Sequence, residues 1–116
     1  MTDYLRGEIV LVDLEPTIGG EQRGKTRPCL IVSSNLANQA LPVVVICPLT
    51  SKVKRNFFVG PVVVPSGTGG LDTESVVLVM QIRTIDKSRI SKKIGFLTEG
   101  TMDQVSDSLR MALDLD

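Results

Sequence analysis

The sequence predicts a mainly β protein, a small and strongly curved barrel or sandwich closed by a C-terminal helix. Short apolar runs rich in β-branched residues recur at nearly regular spacing along its 116 residues. Aromatic residues are scarce, so the core has to be aliphatic, and valine dominates it. No linker, repeat or low-complexity tract interrupts the chain, so residues 1–116 are expected to form one domain.

The first half of the chain predicts three strands. Residues 7–14 form the first, and a long loop over 15–26 leads to the second at 27–33, where Pro28 is tolerable because proline is confined to strand beginnings and edges. A polar connection with one helical turn then leads to the third strand, at 43–49, which is expected to be the most deeply buried.

The second half predicts three further strands and the helix. A basic loop over 50–56 precedes a fourth strand at 57–64, bent at Gly60–Pro61, and a turn at 66–70. A fifth strand is expected at 76–82 and a sixth at 93–97, after a connection over 83–92.

The C-terminal segment has the periodicity of an amphipathic helix. Thr101 and Gln104 have the spacing of a capping box at its start. The apolar residues that recur at helical spacing are Met102, Val105, Leu109, Ala112 and Leu113.

The charges are segregated although the net charge is zero. No acidic residue occurs from 22 to 71, where six cations are present, and a second basic cluster comprises Arg83, Lys87, Arg89, Lys92 and Lys93. Such segregation produces a local positive potential that attracts a phosphate chain. The alternative is that these are ordinary solvated loop charges.

Several classes of site are excluded by composition. The chain has no histidine, which removes Ser-His-Asp and Cys-His nucleophilic sites and most zinc arrangements, and it has no phosphate-binding glycine motif. Cys29 and Cys47 lie in apolar runs and are expected to be reduced and buried. No metal or cofactor is therefore predicted. No apolar run approaches the ~20 residues of a membrane span and no secretory signal begins the chain, so a cytoplasmic protein is expected.

Three segments together resemble the MazF/PemK family of toxin endoribonucleases, which cut mRNA as one half of toxin–antitoxin pairs. They are RGEIVLVDLEPTIGGEQRGKTRPCLIVS at the front, ICPLTS in the middle and VMQIRTIDKSRI towards the end. The resemblance implies a small SH3-like β-barrel of five to seven short antiparallel strands with a C-terminal helix. It also implies a homodimer that binds single-stranded RNA, needs no cofactor, and has a cognate antitoxin with a disordered acidic segment.

The resemblance also implies the site. The family's catalytic pair corresponds to Arg27 and Thr50. The residues expected to bind RNA are Glu21, Gln22, Arg23, Lys25, Ser51, Lys52, Gln81 and Arg83. The chain departs from the family at Gly20, where relatives often have serine, and at Met80, where several have an acidic residue.

The residue types suit RNA cleavage by the substrate's own 2′-hydroxyl, because the enzyme then supplies neither nucleophile nor metal. A guanidinium presents a fork of donors that matches two phosphate oxygens, and Thr50 adds a hydroxyl donor. Arginine stays protonated and is a poor general base, so Glu21 is the nearest candidate for that role, which remains open.

Two other functions compete. One is a non-enzymatic, gyrase-poisoning toxin of the CcdB type, although that type acts through a C-terminal Trp-Gly-Ile-like end and this chain ends in LDLD. The other is a degenerate RNA-binding module that binds without cleaving.

Overall fold

The computed structural model describes residues 3–14, 26–51 and 60–116. Most of this part of the chain is β-sheet, with one long helix at its end. Its strands are β1 (Glu8–Asp13), β2 (Thr26–Ile31), β3 (Val43–Thr50), β4 (Val62–Val64), β5 (Ser75–Val77), β6 (Arg83–Asp86) and β7 (Ile90–Phe96). Its helices are α1 (Asn35–Ala40) and α2 (Glu99–Leu113), and single 3₁₀ turns occupy Val79–Gln81 and Lys87–Arg89.

All strand pairs are antiparallel, in the order β4-β5-β3-β2-β1-β7, with β6 also paired to β3. β3 is central. One of its edges carries β2, and the other carries β6 along its first half and β5 along its second. The expectation of a curved, mainly β, antiparallel fold with a C-terminal helix is confirmed.

Pro48 marks the point where β3 changes partner from β6 to β5. Leu78 N donates to Pro48 O at 2.8 Å, so the backbone of Pro48 faces this edge, where it has no N–H to continue the ladder. The neighbouring chain leaves the sheet here as the turn Val79–Gln81. The predicted strand at 76–82 is therefore wrong beyond Val77, and Gln81 lies on a turn.

The predicted connection at 83–92 contains a strand. β6 pairs with β3 from Val43↔Asp86 to Ile46↔Arg83, and β7 begins at Ile90 and not at residue 93. The turn between β6 and β7 is capped by Asp86, whose side chain accepts from Ser88 N at 2.8 Å and whose pKa is lowered by its hydrogen bonds to Ser88. Because this three-residue turn joins β6 to β7, which lies at the far end of the β3-β2-β1-β7 path, the sheet curls.

Apolar side chains fill both faces of the sheet. On the outer face, α2 packs through Met102 and Val105 onto a cluster that includes Ile9, Leu30 and Leu49. The curl encloses the second cluster. Its buried members are Val10, Val12, Leu14, Cys29, Ile31, Val44, Ile46 and Ile85.

α2 differs from the prediction at both ends. Thr98 is its N-cap and accepts from Thr101 N at 3.3 Å, so the predicted capping box at Thr101 is wrong and Thr101 lies inside the first turn. Of the predicted apolar face, Met102 and Val105 are buried, and Leu109 and Ala112 pack against the same cluster. Leu113 is 47% exposed and does not belong to it.

The other predicted elements are confirmed where the structure describes them. The helical turn after β2 is α1, with Ser34 as N-cap. The segment around 66–70 connects β4 to β5 as a hairpin. The first three residues of the predicted strand at 57–64 lie outside the described residues, and its last three, Val62–Val64, are β4.

Candidate functional site

An open cleft of about 1060 Å³ lies where β2 begins and β3 ends. Its wall includes five of the residues predicted for the site, which are Arg27, Thr50, Ser51, Gln81 and Arg83. The cleft is also lined by Thr26, Pro28, Pro48, Leu49, Asp72, Thr73 and Ser75. The five predicted residues, which come from three separate parts of the chain, are thus brought to one depression.

The position of Arg27 follows from two prolines. The backbone groups of Pro48 face β5, so those of the next residue, Leu49, face β2 on the opposite edge. The register Cys29↔Pro48 puts Pro28 across from Leu49. Pro28 has no N–H to donate to the Leu49 carbonyl. Arg27 Nη2 lies 3.5 Å from that oxygen, so the half-buried guanidinium is held against the end of β3.

Thr50 is the last residue of β3 and pairs with Val76 of β5. Continuing the β2–β3 register by two residues from Cys29↔Pro48 puts Thr50 opposite Arg27. Successive side chains of a strand point to opposite faces of the sheet, so Arg27 shares a face with Cys29, and Thr50 shares it with Ile46. This face is the inside of the curl. The two predicted catalytic residues therefore share one face at neighbouring strand ends.

A second guanidinium, that of Arg83, lies near the first. Burial raises the pKa of the Cys29 thiol to about 12, while the positive charges of Arg27 and Arg83 act in the opposite direction. Both arginines line the same cleft. In the described part of the chain, the salt bridges are Lys93–Glu8 and Arg110–Asp107, and neither involves Arg27 or Arg83.

The other cations of the second basic cluster have mostly structural contacts. Lys87 Nζ donates to Asn38 O, and Arg89 Nη1 donates to Asp13 O at 3.3 Å. Lys93 forms its salt bridge with Glu8 at 3.3 Å and also lies 5.3 Å from the centroid of the Tyr4 ring. These three cations brace the protein surface, whereas Arg83 lines the cleft.

Five predicted RNA-binding residues lie outside the described residues. They are Glu21, Gln22, Arg23, Lys25 and Lys52. Their placement in the site therefore stays a prediction.

The sequence-based prediction missed three polar residues of the cleft, which are Asp72 and Thr73 of the β4–β5 loop and Ser75 at the start of β5. Ser75 is buried and donates to Thr73 O at 3.1 Å. Continuing the β3–β5 register by one residue from Thr50↔Val76 puts Ser75 opposite Ser51. The run DTES before an apolar strand was the available signal, but nothing in it indicates the distant strand that it meets.

No metal centre is found within 3–14, 26–51 and 60–116, where no three potential ligands gather. Cys29 and Cys47 are buried free thiols, as predicted, and burial raises the pKa of each to about 12. Among the described helices, none is long and apolar enough to cross a membrane.

Comparison with known proteins gives a consistent result. Residues 5–113 match the family model described as PemK-like, MazF-like toxin of type II toxin–antitoxin system. The chain is 34% identical over 110 residues to Endoribonuclease EndoA of Bacillus subtilis (strain 168), covering 95% of this chain and 94% of that protein.

Solved structures with the same fold include two mycobacterial proteins. An endoribonuclease in complex with its cognate antitoxin, from a mycobacterial species, is 27% identical with a TM-score of 0.76, covering 100% of this chain and 98% of that one. Mycobacterium tuberculosis toxin MazF-mt6 is 26% identical with a TM-score of 0.78, covering 94% of this chain and 98% of that one.

Proposed function

The chain belongs to the PemK-like, MazF-like toxin family of type II toxin–antitoxin systems and is a homologue of endoribonucleases, and from this premise we propose that Arg27 and Thr50 cleave single-stranded RNA in the cleft. The observation that carries the proposal is the meeting of these two residues at neighbouring ends of β2 and β3. Arg83 supplies a second cation, and neither arginine is neutralised by a salt bridge within the described residues.

The reaction is an internal transfer at phosphorus. The 2′-oxygen of one nucleotide forms a bond to the adjacent phosphorus, and the bond from phosphorus to the 5′-oxygen of the next nucleotide breaks. The 2′-hydroxyl gives up a proton and the departing 5′-oxygen gains one. The products are a 2′,3′-cyclic phosphate and a 5′-hydroxyl, and the attacking oxygen belongs to the RNA, so the step needs no metal.

Arg27 stabilises the charge that develops on the non-bridging phosphate oxygens. Its guanidinium is a planar fork of donors that matches two phosphate oxygens. One hydrogen bond to the Leu49 carbonyl restrains this fork, leaving its other N–H groups for the phosphate. Preorganised donors of this kind are worth about 3–4 kcal/mol each in a transition state.

Thr50 donates its hydroxyl to the same phosphate and is oriented by the sheet. Its backbone is fixed by the pairing of β3 with β5, and a β-branched side chain has few rotamers. The buried Cys29 thiol stays protonated at neutral pH, because burial raises its pKa to about 12, and it takes no part as a nucleophile. The general base is left open, with Glu21 as the first candidate.

RNA binding extends the site on both sides of the catalytic pair. Ser51, Gln81 and Arg83 line the cleft and contact the RNA backbone or bases. The loop residues Glu21, Gln22, Arg23 and Lys25, together with Lys52, complete the binding surface. The protein works in the cytoplasm as a sequence-specific enzyme and a homodimer.

A cognate antitoxin is the expected protein partner. The mycobacterial endoribonuclease with the same fold was solved with its own antitoxin, which supports this expectation. An acidic, disordered segment is the kind of ligand that a cationic cleft attracts, and it would compete with RNA for Arg27 and Arg83. The cognate antitoxin is then expected to inhibit cleavage.

Digestion of a long transcript tests the proposal, with mapping of both the cleavage positions and the end groups in the presence of EDTA. Cleavage at a defined sequence, leaving a 2′,3′-cyclic phosphate and a 5′-hydroxyl, is expected from the unaltered protein and not from Arg27→Ala. RNA that stays intact, or is cut equally by both proteins, rejects the proposal.

The same preparation separates the two competing functions. The family match does not favour a gyrase poison, which would instead trap cleaved DNA in a topoisomerase assay. A degenerate binding module would retain RNA in a filter-binding assay, with release at high salt, and would leave every transcript whole.

A further inference from the structure

Asp72 is the one carboxylate among the described residues that line the cleft. It lies in the same depression as Arg27 and Arg83. A carboxylate repels a phosphate chain, so its presence in a cleft that binds RNA requires a reason. Ionised carboxylates only accept hydrogen bonds, so the reason has to be a donor on the ligand.

The carboxylate of Asp72 is available for such a contact. Within the described residues it makes no salt bridge, and its only hydrogen bond is through its backbone carbonyl, which accepts from Ser66 Oγ at 2.7 Å. Its side chain is exposed, and neither arginine of the cleft pairs with it.

The backbone that carries Asp72 is anchored on both sides. Ser66 holds the Asp72 carbonyl, and Ser75 Oγ holds that of Thr73 at 3.1 Å. Before Asp72, the chain packs closely onto β7, since a Cβ added to Gly70 would lie 2.5 Å from the Ile94 carbonyl oxygen. An anchored loop holds its side chain at a defined place, as recognition of one nucleotide requires.

We propose that Asp72 is a specificity-determining residue that accepts a hydrogen bond from the exocyclic amino group of a nucleobase in the cleft. This inference rests on the proposed function. Adenine, cytosine and guanine carry such an amino group. Uracil has none, and its one base N–H that can face a partner, at N3, lies between two carbonyl oxygens that a carboxylate repels. Asp72 therefore selects against uridine at one position near the cleavage site.

Asp72→Asn and Asp72→Ala distinguish base recognition from a general effect of charge. Asparagine keeps an acceptor and adds a donor, so it pairs with uracil as well as with an amino-bearing base. Alanine removes both. Glu74→Gln is the matched control, since Glu74 is an exposed acid two residues away that does not line the cleft, and its substitution changes the net charge equally.

The experiment measures cleavage rates of short RNAs in which each position around the mapped cleavage site carries each of the four nucleotides in turn. At one position, the unaltered protein and Glu74→Gln are expected to cut the amino-bearing substrates about ten- to a hundredfold faster than the uridine substrate, the worth of a hydrogen bond to a charged group. Both Asp72 variants lose this difference, and Asp72→Asn does so by cutting the uridine substrate faster.

Two results overturn the inference while leaving the proposed function intact. One is a nucleotide preference that both Asp72 variants share with the unaltered protein. The other is a cleavage rate that the Asp72 substitutions change by the same factor on every substrate, because such a uniform change would reflect charge repulsion or a ribose contact. If the unaltered protein cuts none of the RNAs, the proposed function fails and this inference falls with it. Equal melting temperatures of the four proteins establish that folding is not the cause of any difference.

Discussion

The Nη2 atom of Arg27 lies 3.5 Å from the carbonyl oxygen of Leu49, the residue before Thr50. The contact forms where Pro28 leaves that carbonyl without a main-chain donor, so a side chain of β2 takes the place of a ladder hydrogen bond. The same local departure from regular sheet pairing thus orients the guanidinium and ties it to the strand that ends in Thr50.

Replacing Arg27 is expected to abolish most RNA cleavage with little loss of stability. Arg27→Ala should lower the cleavage rate about 100- to 1000-fold, because the fixed donors to the phosphate are lost. Arg27→Lys keeps the charge but not the fork, and should recover only part of that loss. The free energy of unfolding should fall by only about 1 kcal/mol, the worth of one hydrogen bond.

Rates on the mapped RNA substrate and urea melts provide both readouts. Arg110→Ala is the control, since Arg110 is an exposed cation on α2 that pairs with Asp107 outside the cleft. If Arg27→Ala cleaves RNA as fast as this control, Arg27 has no catalytic role.

Thr50 is expected to act through its hydroxyl alone. Thr50→Val keeps the β-branched shape that suits the end of β3, and it should lower the cleavage rate about 10- to 100-fold. Thr50→Ser keeps the hydroxyl and should retain most of the rate. The two variants are compared by their single-turnover cleavage rates on one RNA. An equal loss of rate in both would indicate that packing, and not the hydroxyl, matters at this position.

The contact between β7 and the β4–β5 loop is expected to be intolerant of one added methyl group. A Cβ on Gly95 would lie 2.4 Å from the carbonyl oxygen of Gly69, so Gly95→Ala has to displace the backbone of the loop that carries Asp72. Both the melting temperature and the rate of RNA cleavage should fall.

Gly100→Ala is its matched control. Gly100 lies in the first turn of α2 with open space around it, so alanine should stabilise the protein, by up to about 1 kcal/mol, because it favours the helix. Thermal melts of the two variants should shift in opposite directions, and a Gly95→Ala protein as stable as the unaltered one would show that the loop moves freely.

Stability is expected to decline steeply in alkaline solution because of the two buried thiols. The folded-state pKa of each, about 12, lies above the ordinary value of 9.0. Above pH 9 the unfolded chain loses these protons while the folded chain keeps them, so rising pH favours unfolding. Each thiol lowers the free energy of unfolding by up to about 1.4 kcal/mol per pH unit until its folded pKa is passed.

Denaturant melts from pH 8 to 11 test this on the unaltered protein and on a Cys29→Ala, Cys47→Ala double variant. The variant keeps Tyr4 and every lysine, so only the slope due to the thiols is removed. Identical slopes in both proteins would contradict the assigned pKa shifts.

The sequence pattern of a single segment was sufficient to predict a strand or helix where the apolar residues of that segment show the period of the element. The apolar runs of β1, β2 and β3 and the period of α2 predicted those elements, because burial of one face imposes periodicity on the sequence. β6 was missed because Ile85 is its one buried residue and its other side chains are exposed. The strand predicted at 76–82 was too long because its end is imposed by Pro48, a residue of another strand.

The sequence by itself determined the composition of an aliphatic β core and the absence of histidine chemistry, and its family resemblance predicted Arg27 and Thr50 as the catalytic pair. Only the tertiary structure decided that these two lie opposite each other, that Arg83 joins them while Lys87, Arg89 and Lys93 brace the surface, and that Asp72 shares the cleft. The physical reason is that strand register and cleft membership depend on contacts between residues far apart in the chain. The N–H that Pro28 lacks, for example, matters only because the fold places the Leu49 carbonyl opposite it.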